Sequence, residues 1–371
     1  MSTNTIKQLL TEGQSVWLDD ISRDMLQSGL LQQRITEIGI RGVTSNPSIF
    51  QKAIASGNAY DEDIKSLLSE GKTPEEIFQS LAVKDIQDAC DLFRPIYDDS
   101  NGADGFVSIE VLASLARDTQ GTIDNARVLW NAVNRPNLMV KVPGTAEGVP
   151  AIEQLLTEGI NINITLLFSV ENYLAVANAY INALAARHEK DEPIDQLASV
   201  ASFFVSRVDT LADKKLDEVG PAGESLKGKV AVANARIAYE AFENLFSGEA
   251  FLKLKAAGAR VQRPLWASTG TKNPAYSDVL YVETLIGPET VNTMPYPTIE
   301  AFLDHGTVKR TADTDYAGAH KVMDDLAATG ISLDAITRQL EDEGISTFMK
   351  AYDELLAGVA EKREALATAA S

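Results

Sequence analysis

The stretch NLMVKVPGTAEGVPAIEQLLTEGININITL, Asn137 to Leu166, decides how the rest of the chain is read. Two short apolar runs, Leu138–Val142 and Ile160–Leu166, bracket a segment, Gly148–Leu156, that reads as a helix. Runs this short suit strands buried on both faces, and a helical return between them allows parallel pairing. Outward from this unit the alternation continues. Ser15–Leu18, Ile40–Val43, Gly105–Ile109, Val200–Val205, Pro264–Ala267 and Val291–Met294 bring the candidate strands to eight, and helices are expected at Thr73–Leu92 and Glu171–Arg187. Eight alternations are the pattern of a closed α/β barrel, the (β/α)8 or TIM barrel. A doubly wound open sheet normally carries a glycine-rich nucleotide loop, and neither GxGxxG nor GxxxxGK[ST] occurs here.

The barrel is expected to fill residues 1–371 as a single domain with additional helices. The intervals near 50–103 and 207–263 are too long for one turn and one helix, so they are expected to carry helical insertions. From about 315 onward Val322, Leu326, Ile345, Phe348, Met349 and Tyr352 recur at helical spacing and predict a C-terminal helical extension over the barrel or a partner.

Composition narrows the function. Lys and Arg total 33 against 53 Asp and Glu, a formal net charge of -20, which repels polyanions and argues against nucleic-acid binding. A pocket holding a few cations can still take a small anion, because charges more than about 10 Å away are screened. Cys90 is the only cysteine, so no internal disulfide or CxxC motif exists, and a reducing cytoplasm is expected. Met1–Leu10 lacks a leader pattern, and no run approaches the roughly 20 apolar residues of a membrane span. A soluble cytoplasmic protein without membrane association, monomer or homodimer, is the expectation.

The polar residues within these apolar runs carry the chemistry. Lys141 interrupts a strand that otherwise looks buried, where a lysine is costly unless paired or working. Residues two apart on a strand share a face. Phe106, Ser108 and Glu110 do so, as do Asn161, Asn163 and Thr165, then Gly42, Thr44 and Asn46, and Trp17 and Asp19. Lys141 alone also reads as a salt-bridged lysine at a strand end, and Asp19 or Asn46 alone as a helix cap. Together, at successive strand ends, they describe a polar pocket at a barrel mouth.

The chain resembles the transaldolase family. The resemblance rests on Gly42-Val-Thr-Ser-Asn-Pro-Ser-Ile-Phe50, Val107-Ser-Ile-Glu-Val111, Met139-Val-Lys-Val-Pro-Gly-Thr-Ala-Glu-Gly148, Gly159-Ile-Asn-Ile-Asn-Ile-Thr-Leu-Leu-Phe-Ser169, Ser202-Phe-Phe-Val-Ser-Arg207 and Leu265-Trp-Ala-Ser-Thr-Gly270. Its length is nearest a bacterial subgroup with inserted and C-terminal helices. The resemblance implies transfer of a dihydroxyacetone unit between sugar phosphates, with no cofactor or metal. It implies catalytic roles for Lys141 as Schiff-base amine, Asp19 as base, and Glu110 with Thr165 in carbinolamine dehydration. It implies that Asn46 and Asn163 bind the hydroxyls of the retained unit, with Thr44 on the same face as their support, that Ser202 is a further substrate-binding residue, and that Arg207 and Ser268 bind phosphate. Many members have an arginine two residues after that serine; here Gly270 stands there, and Lys272 is the expected substitute. The segment before Arg207 reads Phe-Phe-Val-Ser where many members have Pro-Phe-Val-Gly.

Three other readings stand beside it, one of them a non-catalytic acidic barrel used for binding or assembly, which would have little reason to retain Lys141 together with Asp19 and Glu110. A metal-dependent aldolase needs histidine ligands, and His188, His305 and His320 lie at no candidate strand end. A Schiff-base aldolase resembling fructose-6-phosphate aldolase would instead release free dihydroxyacetone.

Overall fold

The computed structural model describes residues 4–369; Met1–Thr3 of the stretch read for a leader, and the last two residues of the expected domain, lie outside it. Among the described residues seven strands form one parallel sheet. They are β1 (Gln14–Leu18), β2 (Val107–Glu110), β3 (Leu138–Pro143), β4 (Ile162–Leu167), β5 (Ser199–Phe204), β6 (Arg263–Ala267) and β7 (Thr290–Met294), in the order β1-β7-β6-β5-β4-β3-β2. The first strand pairs with the last, Gln14 opposite Thr290 through Leu18 opposite Met294, so the sheet curls round. Its strands are almost wholly buried and its returns are helical, as parallel sheets require.

The expected strand at Ile40–Val43 is a correction. The segment forms only isolated bridges, Val43 to Leu18 on one side and to Val107 on the other. Backbone hydrogen bonds still run both ways, from Arg41 N to Val16 O and from Val43 N to Phe106 O. Two glycines keep the segment short. Gly39 turns at φ 98, and a Cβ on Gly42 would sit 2.7 Å from Phe106 O and 2.8 Å from the Trp17 ring, so only glycine lets the backbone approach so closely.

Below this segment, at the N-terminal ends of the strands, Asp104 ties the two sides together. Its buried carboxylate accepts from Trp17 Nε1 at 2.9 Å, Arg41 Nε at 3.0 Å and Ser15 Oγ, with Arg263 Nη2 3.6 Å away. A carboxylate this buried is tolerated because its lone pairs are taken.

Helices Asp61–Ser69 and Pro74–Asp99 fill the first long interval, and Val230–Phe246 and Glu249–Ala256 lie in the second. The Pro74 helix starts on a capping box, Thr73 Oγ1 accepting from Glu76 N at 3.3 Å while Thr73 N donates to Glu76 Oε2 at 2.9 Å. Tyr316–Ala328 and Leu333–Ala369 form the tail. The last helix packs against the Pro47–Ala55 helix and the C-terminal end of β4, where a Cβ on Gly344 would sit 2.9 Å from Leu166 Cδ2. It is pinned along its length. Asn172 Nδ2 donates to Glu341 at 2.8 Å, Arg117 pairs with Asp342, and Lys362 Nζ reaches Gly57 O at 2.9 Å and Asp61 at 2.8 Å. No helix among the described residues is long and apolar enough to cross a membrane.

Candidate active site

Parallel register sets the centre of the site. Glu110 of β2 lies opposite Lys141 of β3, which lies opposite Asn163 of β4. Lys141 is 5% exposed, and its Nζ donates to Ser45 O at 3.0 Å and to Glu110 Oε2 at 3.2 Å. Burial pushes the Glu110 carboxyl above its ordinary value, and the Lys141 charge opposes this. A raised carboxylate is a better proton acceptor. Glu110 Oε1 and Thr165 Oγ1 are both buried with no hydrogen-bond partner among the described residues, so each can still bond a substrate or a water.

The neighbouring polar groups are held by one another. Asn163, fully buried, donates from Nδ2 to Ser108 Oγ at 3.0 Å and accepts on Oδ1 from Ser202 Oγ at 2.6 Å. This orients the amide and keeps its second N–H for a ligand. Thr44 Oγ1 contacts Asp19 Oδ1 at 2.7 Å and Thr293 Oγ1 at 2.6 Å, which fixes Asp19 just past β1. Asn46 is also a helix cap, its Oδ1 accepting from Ile49 N at 3.1 Å, and its Nδ2 makes no hydrogen bond among the described residues. Beside Glu110 and Asn46 opens an apolar cavity of about 170 Å³ lined by Phe50, Phe78, Ile109 and Tyr352.

Arg207 opens the Ser206–Val219 helix after β5. Its guanidinium makes no ion pair or hydrogen bond among the described residues and stacks 5.3 Å from the Phe204 ring centroid. Burial draws its pKa down, opposed by Asp19 and Glu343. Ser268, at the end of β6, sits at φ 56, a left-handed conformation that costs energy for a non-glycine residue. That turn brings its Oγ 2.9 Å from Ser206 Oγ. Lys272 is exposed and lines a cleft of about 420 Å³ with Arg207, Lys214 and Glu343.

The structure thus gathers Lys141, Glu110, Asn163, Ser202 and Thr165 on adjacent strands, joins Asp19 to Thr44, and sets Arg207 with Lys272 on one cleft. Sequence reasoning missed Ser45, whose carbonyl holds the amine, and Thr293. The latter carried a signal, as a polar residue inside the run Val291–Met294. Lys214, two turns along the same helical face from Arg207, was missed as well. Among the described residues no group of three or more His, Cys, Asp or Glu could hold a metal ion.

Comparison with known proteins gives a consistent picture. The model of the family described as Transaldolase/Fructose-6-phosphate aldolase matches residues 16–359. A protein named Transaldolase from Trichodesmium erythraeum (strain IMS101) is 48% identical over 98% of both chains. Another of that name from Mycolicibacterium smegmatis (strain ATCC 700084 / mc(2)155) is 49% identical over 94% of both. A third, from Thermobifida fusca (strain YX), is 47% identical over 96% of this chain and 98% of its own.

Proposed function

The chain belongs to the transaldolase/fructose-6-phosphate aldolase family, and from that premise we propose that it is a transaldolase whose Schiff-base amine is Lys141. In this reading the reaction moves a dihydroxyacetone unit from sedoheptulose 7-phosphate to glyceraldehyde 3-phosphate, giving erythrose 4-phosphate and fructose 6-phosphate. The chain is read as one (β/α)8 domain with the Ile40–Val43 segment, between β1 and β2, in the place of the eighth strand; the backbone hydrogen bonds on both sides of that segment support this.

The observation that carries the function is the Lys141 amine itself, buried between one carbonyl and one carboxyl, with Asn163 opposite it on the next strand. The neutral amine attacks the ketone carbon, and the carbinolamine loses water to give an iminium as Glu110, with Thr165, relays the proton. Asp19 takes the proton from the hydroxyl next to the bond that breaks, so the aldose leaves and an enamine stays on Lys141. Asn163 and Asn46 hold the hydroxyls of the retained unit without supplying an acidic proton. Arg207, with Ser268 and Lys272, holds the terminal phosphate by charge-assisted hydrogen bonds. Addition of the acceptor aldehyde and hydrolysis of the new iminium then release the product.

Borohydride reduction in the presence of fructose 6-phosphate makes the imine permanent. A dihydroxyacetone-sized adduct mapped to Lys141 is the expected result, and an unmodified lysine set would overturn the assignment.

A further inference from the structure

The C-terminal helix brings an aromatic ring to the amine. Phe348 is 6% exposed, and its ring centroid lies 6.0 Å from Lys141 Nζ. One turn later Tyr352 stacks edge-on with Phe78 at 5.9 Å, and Phe78 with Phe50 at 5.6 Å. This ladder, the Glu341 and Asp342 contacts before Phe348 and the Lys362 contacts after it fix the ring's position. An aromatic ring held there contributes apolar surface beside an amine whose hydrogen-bond partners are a carbonyl and a carboxylate.

We infer that Phe348 is a specificity-determining residue that keeps water from the covalent intermediate until an acceptor aldehyde arrives. The inference rests on Lys141 being the Schiff-base amine. In the productive route the enamine carbon bonds to the acceptor's carbonyl carbon, whose oxygen takes a proton, and water enters only afterwards to free the product ketose. In the wasteful route the enamine carbon is protonated first. Water then adds to the iminium carbon, and the carbinolamine expels the lysine amine, releasing dihydroxyacetone. The two routes differ in whether water reaches C2 before the new carbon–carbon bond forms. A buried ring beside the amine disfavours early entry, because a water there would give up hydrogen bonds against an apolar face.

The test compares F348A, F348Q and F348L with the wild type and with M349A, whose side chain is 41% exposed on the same helix. Dihydroxyacetone released from fructose 6-phosphate without acceptor is measured against transfer with erythrose 4-phosphate present. F348A and the bulkier F348Q are expected to raise the release-to-transfer ratio about tenfold, while F348L, which keeps an apolar side chain, and M349A stay near the wild-type ratio. An unchanged ratio in folded F348Q or F348A overturns the inference, as does an equal rise in M349A. Borohydride trapping runs in parallel. An adduct on Lys141 with an unmoved ratio sinks the role of Phe348 alone, whereas no adduct in the wild type sinks the amine assignment beneath it.

Discussion

Replacing Lys141 with Met removes the amine, keeps a flexible apolar side chain, and leaves Glu110 alone in the pocket. The Glu110 side chain is 5% exposed, and burial already lifts its carboxyl above the ordinary value, with the Lys141 charge as the main opposing influence. Without that charge the carboxyl rises further, and the folded variant holds a proton that the unfolded chain has released. Its stability is then fully present below the unfolded value, about 4.5, and falls by about 1.4 kcal/mol per pH unit until pH passes the folded value. In the wild type the pair holds Glu110 lower, so the same decline stops sooner. The stability gap between the two proteins should therefore widen with rising pH. Urea unfolding followed by circular dichroism between about pH 5 and 8 measures it, and the double variant K141M/E110Q should lose the pH dependence. A gap that stays constant or shrinks as pH rises would refute the reasoning, because Glu110 would then have a counter-charge other than Lys141. Turnover by K141M above background would refute the chemical assignment.

Asp19→Ala is expected to form the imine yet slow carbon–carbon cleavage by about 10²- to 10⁴-fold; rapid-quench single turnovers that cleave at the wild-type rate would remove Asp19 from the base role. Arg207→Ala should raise KM for phosphorylated donors with a smaller effect on kcat, and an unchanged KM would move the phosphate site elsewhere. Asp104→Ala should cost about 3–5 kcal/mol, since it strands Arg41 and Arg263 without their buried partner. Denaturant midpoints check the loss, and kcat at low temperature should stay near wild type because this network lies at the opposite end of the strands from Lys141.

Much of the site could be read in the sequence because strand alternation is local. Parity grouped Glu110 with Ser108 and Asn163 with Thr165, while the register that sets Glu110, Lys141 and Asn163 side by side on three successive parallel strands comes from the fold. The cap role of Asn46 was legible as well, since Pro47 after it signals a helix start, and its amide keeps an end to spare. Ile40–Val43 was read as a full strand because its apolar run says nothing of how closely Gly42 must approach Phe106 and Trp17. The place of Phe348 could not be read at all. Helical spacing shows which face of the last helix is apolar, whereas the surface that face covers depends on residues two hundred positions away.

The closure of β1 on β7 and the late arrival of Phe348 impose an order on synthesis. As the chain leaves the ribosome, β1 has one flank unpaired until Thr290–Met294 appears. Translation from Met294 to Phe348 then takes roughly 3 to 11 s at cellular rates. During that interval a nascent chain can carry every strand and the lysine amine but lack the ring that lies over it. Of the groups named around the amine, Phe348 is the last to be made, so under the role inferred for it selective chemistry follows the appearance of the fold.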